Sequence, residues 1–140
     1  MSAKRLELPE TLAAAIIAAA RRAYPQEACG LIEGIDTDDG WRAIAVHETR
    51  NLDEDASRRF LIDPQAHFAL LRGLRGTERR IIGCFHSHPG GRAEPSTTDG
   101  VNACETGFLY VIAAGAPDEG FALGAFVFMG DGRFAPVALP

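Results

Sequence analysis

The amino-acid sequence predicts an α+β or mixed three-layer domain built around one sheet. A chain of 140 residues is the size of one domain, which we place at residues 1–140. Two segments with helical periodicity alternate with short apolar segments of strand length, and three further strands follow one another towards the C-terminus. The predicted order is a helix, two or three strands, a helix, a strand, a short helix and three strands. This order is typical of a sheet covered by helices.

The first helix and a strand pair are predicted in the first third of the chain. Pro9 suits a first helical position, and apolar residues recur at helical spacing up to residue 23, namely Leu12, Ile16, Ala19 and Ala23. Apolar residues predict strands at 28–35 and 41–48, and the polar residues 36–40 between them predict a turn. The two strands are therefore expected to pair antiparallel.

A polar segment and a second helix follow. Residues 49–59 carry too much charge for a core and predict a loop, which leads into a short strand at residues 60–62. Asp63 before Pro64 is a strong helix start, because an N-cap acceptor precedes proline at the first helical position. The helix is expected to end near residue 75 and to bury Phe68, Leu71 and Leu74.

The second half of the chain predicts a central strand and a three-stranded end. Residues 79–88 are predicted as the central strand, which should stop at Pro89 because proline cannot donate to a sheet ladder. Residues 131–132, Asp-Gly, predict a hairpin turn. The segment after this turn contains Pro136 and is therefore predicted to be an edge strand. The remaining strands are predicted at residues 107–114, 121–129 and 133–139.

Composition and cysteine content exclude several classes of protein. The net charge of −5 and the sequence pI of about 5.3 argue against a nucleic-acid partner. Three cysteines without a CxxC pair indicate a reducing compartment, so we expect a cytoplasmic protein. Cys29, Cys84 and Cys104 are expected to be small buried residues. The apolar run at residues 12–20 is too short to span a bilayer, and no membrane partner is expected.

His86 and His88 form a candidate metal site. Side chains alternate along a strand, so both imidazoles should lie on one face, roughly 6.5–7 Å apart at Cα and open to solvent at the strand end. With a carboxylate from Asp99, they would leave a fourth position for water, as in catalytic zinc sites. Two polar residues on the exposed face of an edge strand would account for the histidine pair equally well.

Ser96 and Asp99 also fit a structural role. A serine followed three residues later by an acid resembles a capping box, and residues 100–105 could be the short helix that it begins. In that case Asp99 would satisfy the helix end and have no part in metal binding.

Other metal enzymes with related motifs fit less well. An amidohydrolase needs a barrel that this chain is too short to form. A metallo-β-lactamase-type hydrolase needs an Asp-His pair where Pro89 and Gly90 stand. A zinc deaminase needs H-x-E followed by P-C-x-x-C, and the sequence contains neither.

Taken whole, the motif resembles that of a known family. Residues 86–99, HSHPGGRAEPSTTD, match every fixed position and spacing of the JAMM motif of MPN-domain metalloproteases. Residues 24–31, YPQEACGL, are similar to the family segment that carries its catalytic glutamate. Asn51 and residues 60–64 resemble the short prokaryotic members, and the resemblance extends from about residue 9 to 129.

The resemblance implies a fold and a role for each site residue. The fold would be one curved, mostly antiparallel sheet flanked by helices, with an architecture like that of cytidine deaminases. One Zn²⁺, with water as its fourth ligand, would be held by three residues, His86, His88 and Asp99. Glu27 would be the general base, and Ser96 would donate a hydrogen bond to the tetrahedral oxyanion.

Five polar residues have no assigned role in this chemistry. Ser87 alternates with the ligands and should face the other side of the strand. His47 and His67 are not expected to bind the metal. Arg92 and Glu94 lie between the ligands, where they either line the substrate groove or shape the turn.

The resemblance also implies a substrate. The family hydrolyses peptide or isopeptide bonds after the C-terminal Gly-Gly of ubiquitin-like proteins, and the small members point to sulfur-carrier proteins. The flexible tail of the substrate could add to a sheet edge, with residues 51–59 as one wall of its channel. The alternative is a non-catalytic MPN scaffold that serves protein interactions. A homodimer is compatible with both.

Overall fold

Seven strands and three helices follow one another in the computed structural model, which describes residues 4–140. The strands are β1 (Arg5–Glu7), β2 (Cys29–Thr37), β3 (Gly40–Thr49), β4 (Arg80–Pro89), β5 (Leu109–Ala116), β6 (Gly120–Gly130) and β7 (Arg133–Val137). The helices are α1 (Glu10–Ala23), α2 (Pro64–Leu74) and α3 (Thr97–Asn102).

All seven strands belong to one sheet in the order β1-β3-β2-β4-β5-β6-β7. The pairs β1/β3 and β4/β5 are parallel and the other neighbours are antiparallel, which confirms the mixed, mostly antiparallel sheet. Its two ends meet, because the Leu6 amide donates to the Ala138 carbonyl at 2.9 Å and the Ala138 amide donates to the Lys4 carbonyl at 3.0 Å. The sheet is therefore strongly curled, and β4 lies inside it.

Apolar residues cover both faces of the sheet, since neighbouring residues of a strand point to opposite sides. One face packs on α1 in a cluster that includes Ile16, Ala19, Ile32, Phe85 and Val111. The other face carries Leu31, Ile81, Cys84, Tyr110 and Phe128. Burial of these side chains stabilises a three-layer arrangement and fixes the strand register at the middle of β4.

The sequence predicted most elements to within two or three residues. Helix α1 and strands β2 to β7 lie where they were expected. Strand β1 was missed because three residues are too few for a periodic pattern. Residues 60–62 do not form a strand and contribute one isolated bridge, Asn51 to Ile62. The short helix begins at Thr97 and not at residue 100, because Ser96 is its N-cap.

The predicted buried face of α2 is wrong for two of its three residues. Phe68 is 64% exposed and Leu71 is 47% exposed, whereas Leu74 packs against the sheet as predicted, together with Leu70. Apolar residues occupy more than one side of this helix, so their spacing did not identify the inward side. The start of the helix is confirmed, because the Asp63 carboxylate accepts from the Gln65 amide at 2.9 Å.

The cysteines divide into two groups. Cys29 and Cys84 are buried free thiols, as predicted, whereas Cys104 is exposed and contradicts the prediction. Cys104 follows the end of α3 in a polar stretch where no strand or helix shields it. Within residues 4–140, no helix is both long and apolar enough to cross a membrane.

A buried carboxylate ties β2 to its neighbours. Glu33 is 5% exposed; one oxygen of its carboxylate lies 2.9 Å from Arg79 Nη1, and the other lies 2.9 Å from His47 Nε2. His47 is thus hydrogen-bonded to Glu33. Loss of a partner would leave a desolvated charge, which costs more than loss of an exposed ion pair.

We therefore expect Arg79→Ala to lower the free energy of unfolding by about 1–3 kcal/mol. Arg80 is the matched control, because it is equally exposed but pairs with the exposed Asp36. Arg80→Ala should change stability by less than about 1 kcal/mol. Urea unfolding of both variants measures the difference, and equal losses would show that burial of Glu33 does not decide the cost.

Candidate metal centre

Strand β4 and helix α3 bring the three predicted ligands together. His86 and His88 lie near the end of β4, which has neighbours on both sides, so the alternative of an exposed edge strand is wrong. The expected solvent exposure holds only for His88, whose side chain is 13% exposed, since His86 is fully buried. Asp99 comes from the first turn of α3 and is 6% exposed.

The ligand atoms converge on one point. The Nε2 atoms of His86 and His88 are 3.0 Å apart, and Asp99 Oδ2 lies 3.2 Å and 3.1 Å from them. Donor atoms 2.0–2.1 Å from one tetrahedral zinc ion would be about 3.3 Å from each other. Two imidazoles and one carboxylate are also a ligand set that zinc accepts with an open position. The three side chains therefore fit a zinc ion.

The surroundings orient both imidazoles. His88 Nδ1 donates to the Arg92 carbonyl at 2.8 Å, which leaves the lone pair on Nε2. Burial lowers the pKa of His86 and favours its neutral form, despite the opposing influence of Asp99. Phe60 stacks on the His86 ring with centroids 4.4 Å apart and holds its plane.

Asp99 both caps helix α3 and lies at the candidate metal site. The Ser96 amide donates to Asp99 Oδ2 at 2.8 Å and the Asp99 amide donates to Ser96 Oγ at 3.0 Å, so the capping box is present. Burial alone would raise the pKa of Asp99, but the adjacent His86 and His88 rings and the Ser96 amide hold it well below its usual range. The capping box positions an ionised carboxylate beside the histidines.

Glu27 lies beside the same three side chains. It is 5% exposed, and ligand-type atoms of Glu27, His86 and His88 all lie within 4.8 Å of one another. Burial raises the pKa of Glu27 from 4.5 to about 7. Of the described buried side-chain atoms, Glu27 Oε1 and His86 Nδ1 are those without a hydrogen-bond partner. Asp99 lies closer to both imidazoles, so Asp99 fits the third ligand position and Glu27 an adjacent one.

Comparison with known protein families identifies the family of this chain. A model described as prokaryotic homologs of the JAB domain matches residues 9–124. The chain belongs to this family. The resemblance of the motif to the JAMM and MPN proteins is thereby confirmed at the level of the family.

Individual relatives agree with this JAB-domain assignment. Desampylase from Haloferax volcanii is 27% identical over 118 residues, which cover 81% of this chain and 84% of that protein. A solution structure from Desulfitobacterium hafniense superposes with a TM-score of 0.81 at 28% identity, covering 96% of this chain and 92% of the other. A JAB1/MPN domain protein from Archaeoglobus fulgidus superposes with a TM-score of 0.57 at 18% identity, covering 100% of this chain and 99% of the other. This superposition shows that the two proteins share a fold.

Strand pairing positions Glu27 in this JAB domain. Cys29 lies opposite His86 in the β2/β4 register, so the residues just before β2 reach the candidate metal centre. The Ala28 amide donates to Ser87 Oγ at 2.7 Å, and the Ser87 amide donates to the Ala28 carbonyl at 3.1 Å. Ser87 therefore ties β4 to the residue that follows Glu27.

Asn51 connects the polar loop to Glu27, a role that the sequence did not reveal. Its amide nitrogen donates to the carbonyls of Glu27 at 3.0 Å and Arg59 at 2.9 Å, and its oxygen accepts from the amides of Asp53 and Leu61. The Glu27 amide in turn donates to the Ala56 carbonyl at 2.7 Å. An asparagine in a charged segment was the available signal, because its side chain can satisfy several backbone groups at once.

We expect Asn51→Ala to lower kcat/KM of the metal-loaded protein by about 10- to 100-fold, because Glu27 would lose the hydrogen bond that positions it. Misplacement of a reacting group by about 1 Å can lower the rate by about that much. Metal content should not change, because Asn51 contacts no ligand. Asn102→Ala is the matched control, because Asn102 is exposed and forms no side-chain hydrogen bond within the described chain. Faster hydrogen exchange of the Glu27 amide should accompany the loss, and unchanged exchange would contradict this role.

The candidate metal centre opens into a cavity of about 390 Å³. Glu27, His88 and Ser96 border it, together with Ser57, Arg58, Pro89, Gly91, Arg92, Glu94 and Pro95. Arg92 and Glu94 therefore line the groove, which the sequence had left open. His67 borders a different cavity, near Phe60 and Asp99, and is not among the grouped ligand-type residues of the described chain.

Proposed function

We propose that this JAB domain is a zinc peptidase or isopeptidase that cleaves after the C-terminal Gly-Gly of a ubiquitin-like or sulfur-carrier protein. One observation carries the proposal: a buried carboxylate with an unpaired oxygen, Glu27, lies beside three converging ligand atoms at the wall of an open cavity. A scaffold would have no use for an unpaired buried carboxylate, which destabilises a fold.

In this proposal His86, His88 and Asp99 hold the zinc ion. When bound, zinc supplies a Lewis acid that polarises a carbonyl group and lowers the pKa of water. The carbonyl of Arg92 fixes the tautomer of His88, and the capping box fixes the Asp99 carboxylate.

Glu27 moves the proton. A base with a pKa near 7 is matched to neutral pH, and burial brings Glu27 to about that value in the metal-free protein. Its carboxylate accepts a proton from the attacking water and returns it to the leaving amine. The Glu27 amide donates to the Ala56 carbonyl and the Glu27 carbonyl accepts from the Asn51 side chain, and these two hydrogen bonds hold the residue in place during both transfers.

Ser96 stabilises the developing oxyanion. Its hydroxyl oxygen accepts from the Asp99 amide, and its hydrogen is still available to donate into the cavity. Capping and oxyanion binding are therefore compatible in one side chain. Loss of a donor of this kind typically lowers kcat by about 10²–10³.

Family membership and the desampylase relative support the substrate class. That name denotes an enzyme that removes a ubiquitin-like modifier, and it belongs to a protein that is 27% identical to this one. The loop of residues 51–59 borders the cavity through Ser57 and Arg58, which supports its role as a channel wall. The free buried thiols, Cys29 and Cys84, are compatible with the reducing cytoplasm that we propose as its compartment.

The test combines metal content with cleavage. Purified protein is expected to contain about one zinc per chain and to release the C-terminal extension from Gly-Gly fusions of ubiquitin-like and sulfur-carrier proteins, as read from intact masses. A chelator should stop cleavage, and added zinc should restore it. A folded protein that takes up no zinc, or a zinc-loaded protein that cleaves no fusion, would favour the non-catalytic scaffold.

A further inference from the structure

A separate cavity lies towards the other end of the sheet from the candidate metal centre. Trp41 borders it and is eight residues before Thr49, which pairs with Cys29 opposite His86. Eight residues span roughly 25 Å along a strand. None of the described residues that line this far-end cavity borders the cavities beside the candidate metal centre. The far-end cavity is therefore a site of its own.

The far-end cavity has a volume of about 420 Å³ and mostly apolar walls. Trp41 and Phe128 form its floor, since they are 5% and 4% exposed, whereas the exposed Met129 and Pro136 form part of its rim. The other residues that line it are Lys4, Thr106, Gly107, Val127 and Ala135. A concave, mostly apolar site of this volume is in the range of pockets that bind small molecules.

The backbone around this cavity has few polar groups that need a partner. The Gly107 amide donates to the Phe128 carbonyl at 2.9 Å, and the Phe128 amide donates to the Phe108 carbonyl at 3.0 Å. Pro136 has no amide hydrogen to donate. Met129 lies where the β6/β7 register shifts, and its flexible side chain can adapt to the shape of a ligand. The walls therefore suit a ligand with an apolar body.

Lys4 supplies a positive charge at the rim. It is the one charged side chain among the described residues that line the far-end cavity. Its Nζ atom lies 5.3 Å from the centroid of the Trp41 ring, whose face attracts a cation and holds it near this position. Within residues 4–140, the ammonium group has no hydrogen-bond or salt-bridge acceptor. An ammonium group at the rim of an apolar cavity favours an anionic ligand.

The charge and the walls together select the kind of anion. A single lysine balances a single negative charge. A phosphate dianion would bring a second charge against apolar walls, where an unpaired charge is costly. A carboxylate carries one charge, and its oxygens accept charge-assisted hydrogen bonds from an ammonium group. A monocarboxylate therefore fits better than a phosphate.

We propose that the far-end cavity binds a small monocarboxylic acid with an apolar body, such as a medium-chain fatty acid. The carboxylate pairs with Lys4 at the rim, and the apolar body packs on Trp41 and Phe128 at the floor. Binding is reversible and changes no covalent bond. This site does not depend on the proposed function, because it shares no described residue with the candidate metal centre.

The experiment uses the fluorescence of Trp41, which is the single tryptophan of the sequence and lies in the cavity wall. The purified full chain is titrated with octanoate, octanol and octylammonium, which share one alkyl chain and differ in charge, at concentrations below micelle formation. Octanoate should change the emission and bind about three- to tenfold more tightly than octanol, a modest gain because water screens an exposed ion pair. Octylammonium should bind most weakly.

Two variants separate the charge from the cavity. Lys4→Gln should bind octanoate and octanol with similar affinity, and Arg5→Gln is the matched control, because Arg5 pairs with Asp39 outside the cavity. Ala135→Leu should fill the cavity and weaken octanoate and octanol alike by about tenfold or more. Ala138→Leu is the same change at an exposed position of the same segment, outside the cavity, and should bind like the parent.

A second readout needs no variant. The sequence has two methionines, Met1 and Met129, so the methyl resonance of Met129 can be assigned, and it should shift when octanoate binds. Equal affinities of the parent for octanoate and octanol, or a preference that survives Lys4→Gln, would overturn the carboxylate site. A folded Ala135→Leu protein that binds like the parent would overturn the cavity as its location. Unchanged Trp41 emission and an unchanged Met129 resonance with all three ligands would overturn the proposal as a whole.

Discussion

Asp99→Asn is expected to remove the metal while the fold remains. The asparagine side-chain oxygen can still accept from the Ser96 amide, so the cap of α3 is kept, but the neutral amide is a poor zinc ligand. Zinc affinity should fall by more than about 100-fold, the upper range for loss of a residue that merely orients a ligand. Hydrolysis should be lost with the metal.

The measurement pairs zinc content with thermal unfolding. The parent protein should gain stability when zinc is added, and the variant should not, because only a ligand bound by the native state stabilises it. Asp118→Asn is the control, an equivalent change at an exposed turn. A variant that keeps one zinc per chain would show that Asp99 only caps the helix and that Glu27 completes the ligand set.

The local parts of this site were accessible to sequence reasoning. His86, His88, Ser96 and Asp99 lie within fourteen residues, and a strand followed by a capped helix suffices to bring them together. Glu27 was different. Its position beside the histidines depends on pairing between β2 and β4, where Ala28 and Ser87 are 59 positions apart in the sequence. Only the family resemblance indicated that Glu27 belongs to the site.

The errors occurred where local pattern did not determine packing. Phe68 and Leu71 have the spacing of a buried stripe, but α2 contacts the curled sheet through Leu70 and Leu74. The curl itself depends on β1, which is too short to predict and which bonds to the end of the chain at Ala138. Tertiary packing overrides helical periodicity when several helix faces are apolar.

Glu27→Gln is expected to keep zinc and stop hydrolysis. The amide has nearly the same shape, so the three ligands are undisturbed, but it cannot accept a proton. Loss of a general base lowers kcat by about 10²–10⁴. Gln26→Ala is a control at the preceding position, exposed and outside the metal centre. Residual activity close to that of the parent would remove Glu27 from the mechanism.

The same substitution should stabilise the metal-free protein in a pH-dependent way. The pKa of Glu27 is raised by burial from 4.5 to about 7, so the native state binds the proton more tightly than the unfolded state does. The stability that protonated Glu27 contributes is therefore complete below about pH 4.5 and is lost as pH rises through 7. Glutamine carries no charge at any pH.

At pH 8 the free energy of unfolding of the metal-free variant should exceed that of the parent by about 1–3 kcal/mol. This is less than the full pKa shift implies, because Glu27 borders an open cavity. At pH 4 the two proteins should be equally stable. Urea unfolding of both proteins at the two pH values, with chelator present, measures this. A gap that does not grow between pH 4 and pH 8 would show that the Glu27 carboxylate is not desolvated, and the physical basis for its role as a base would be lost.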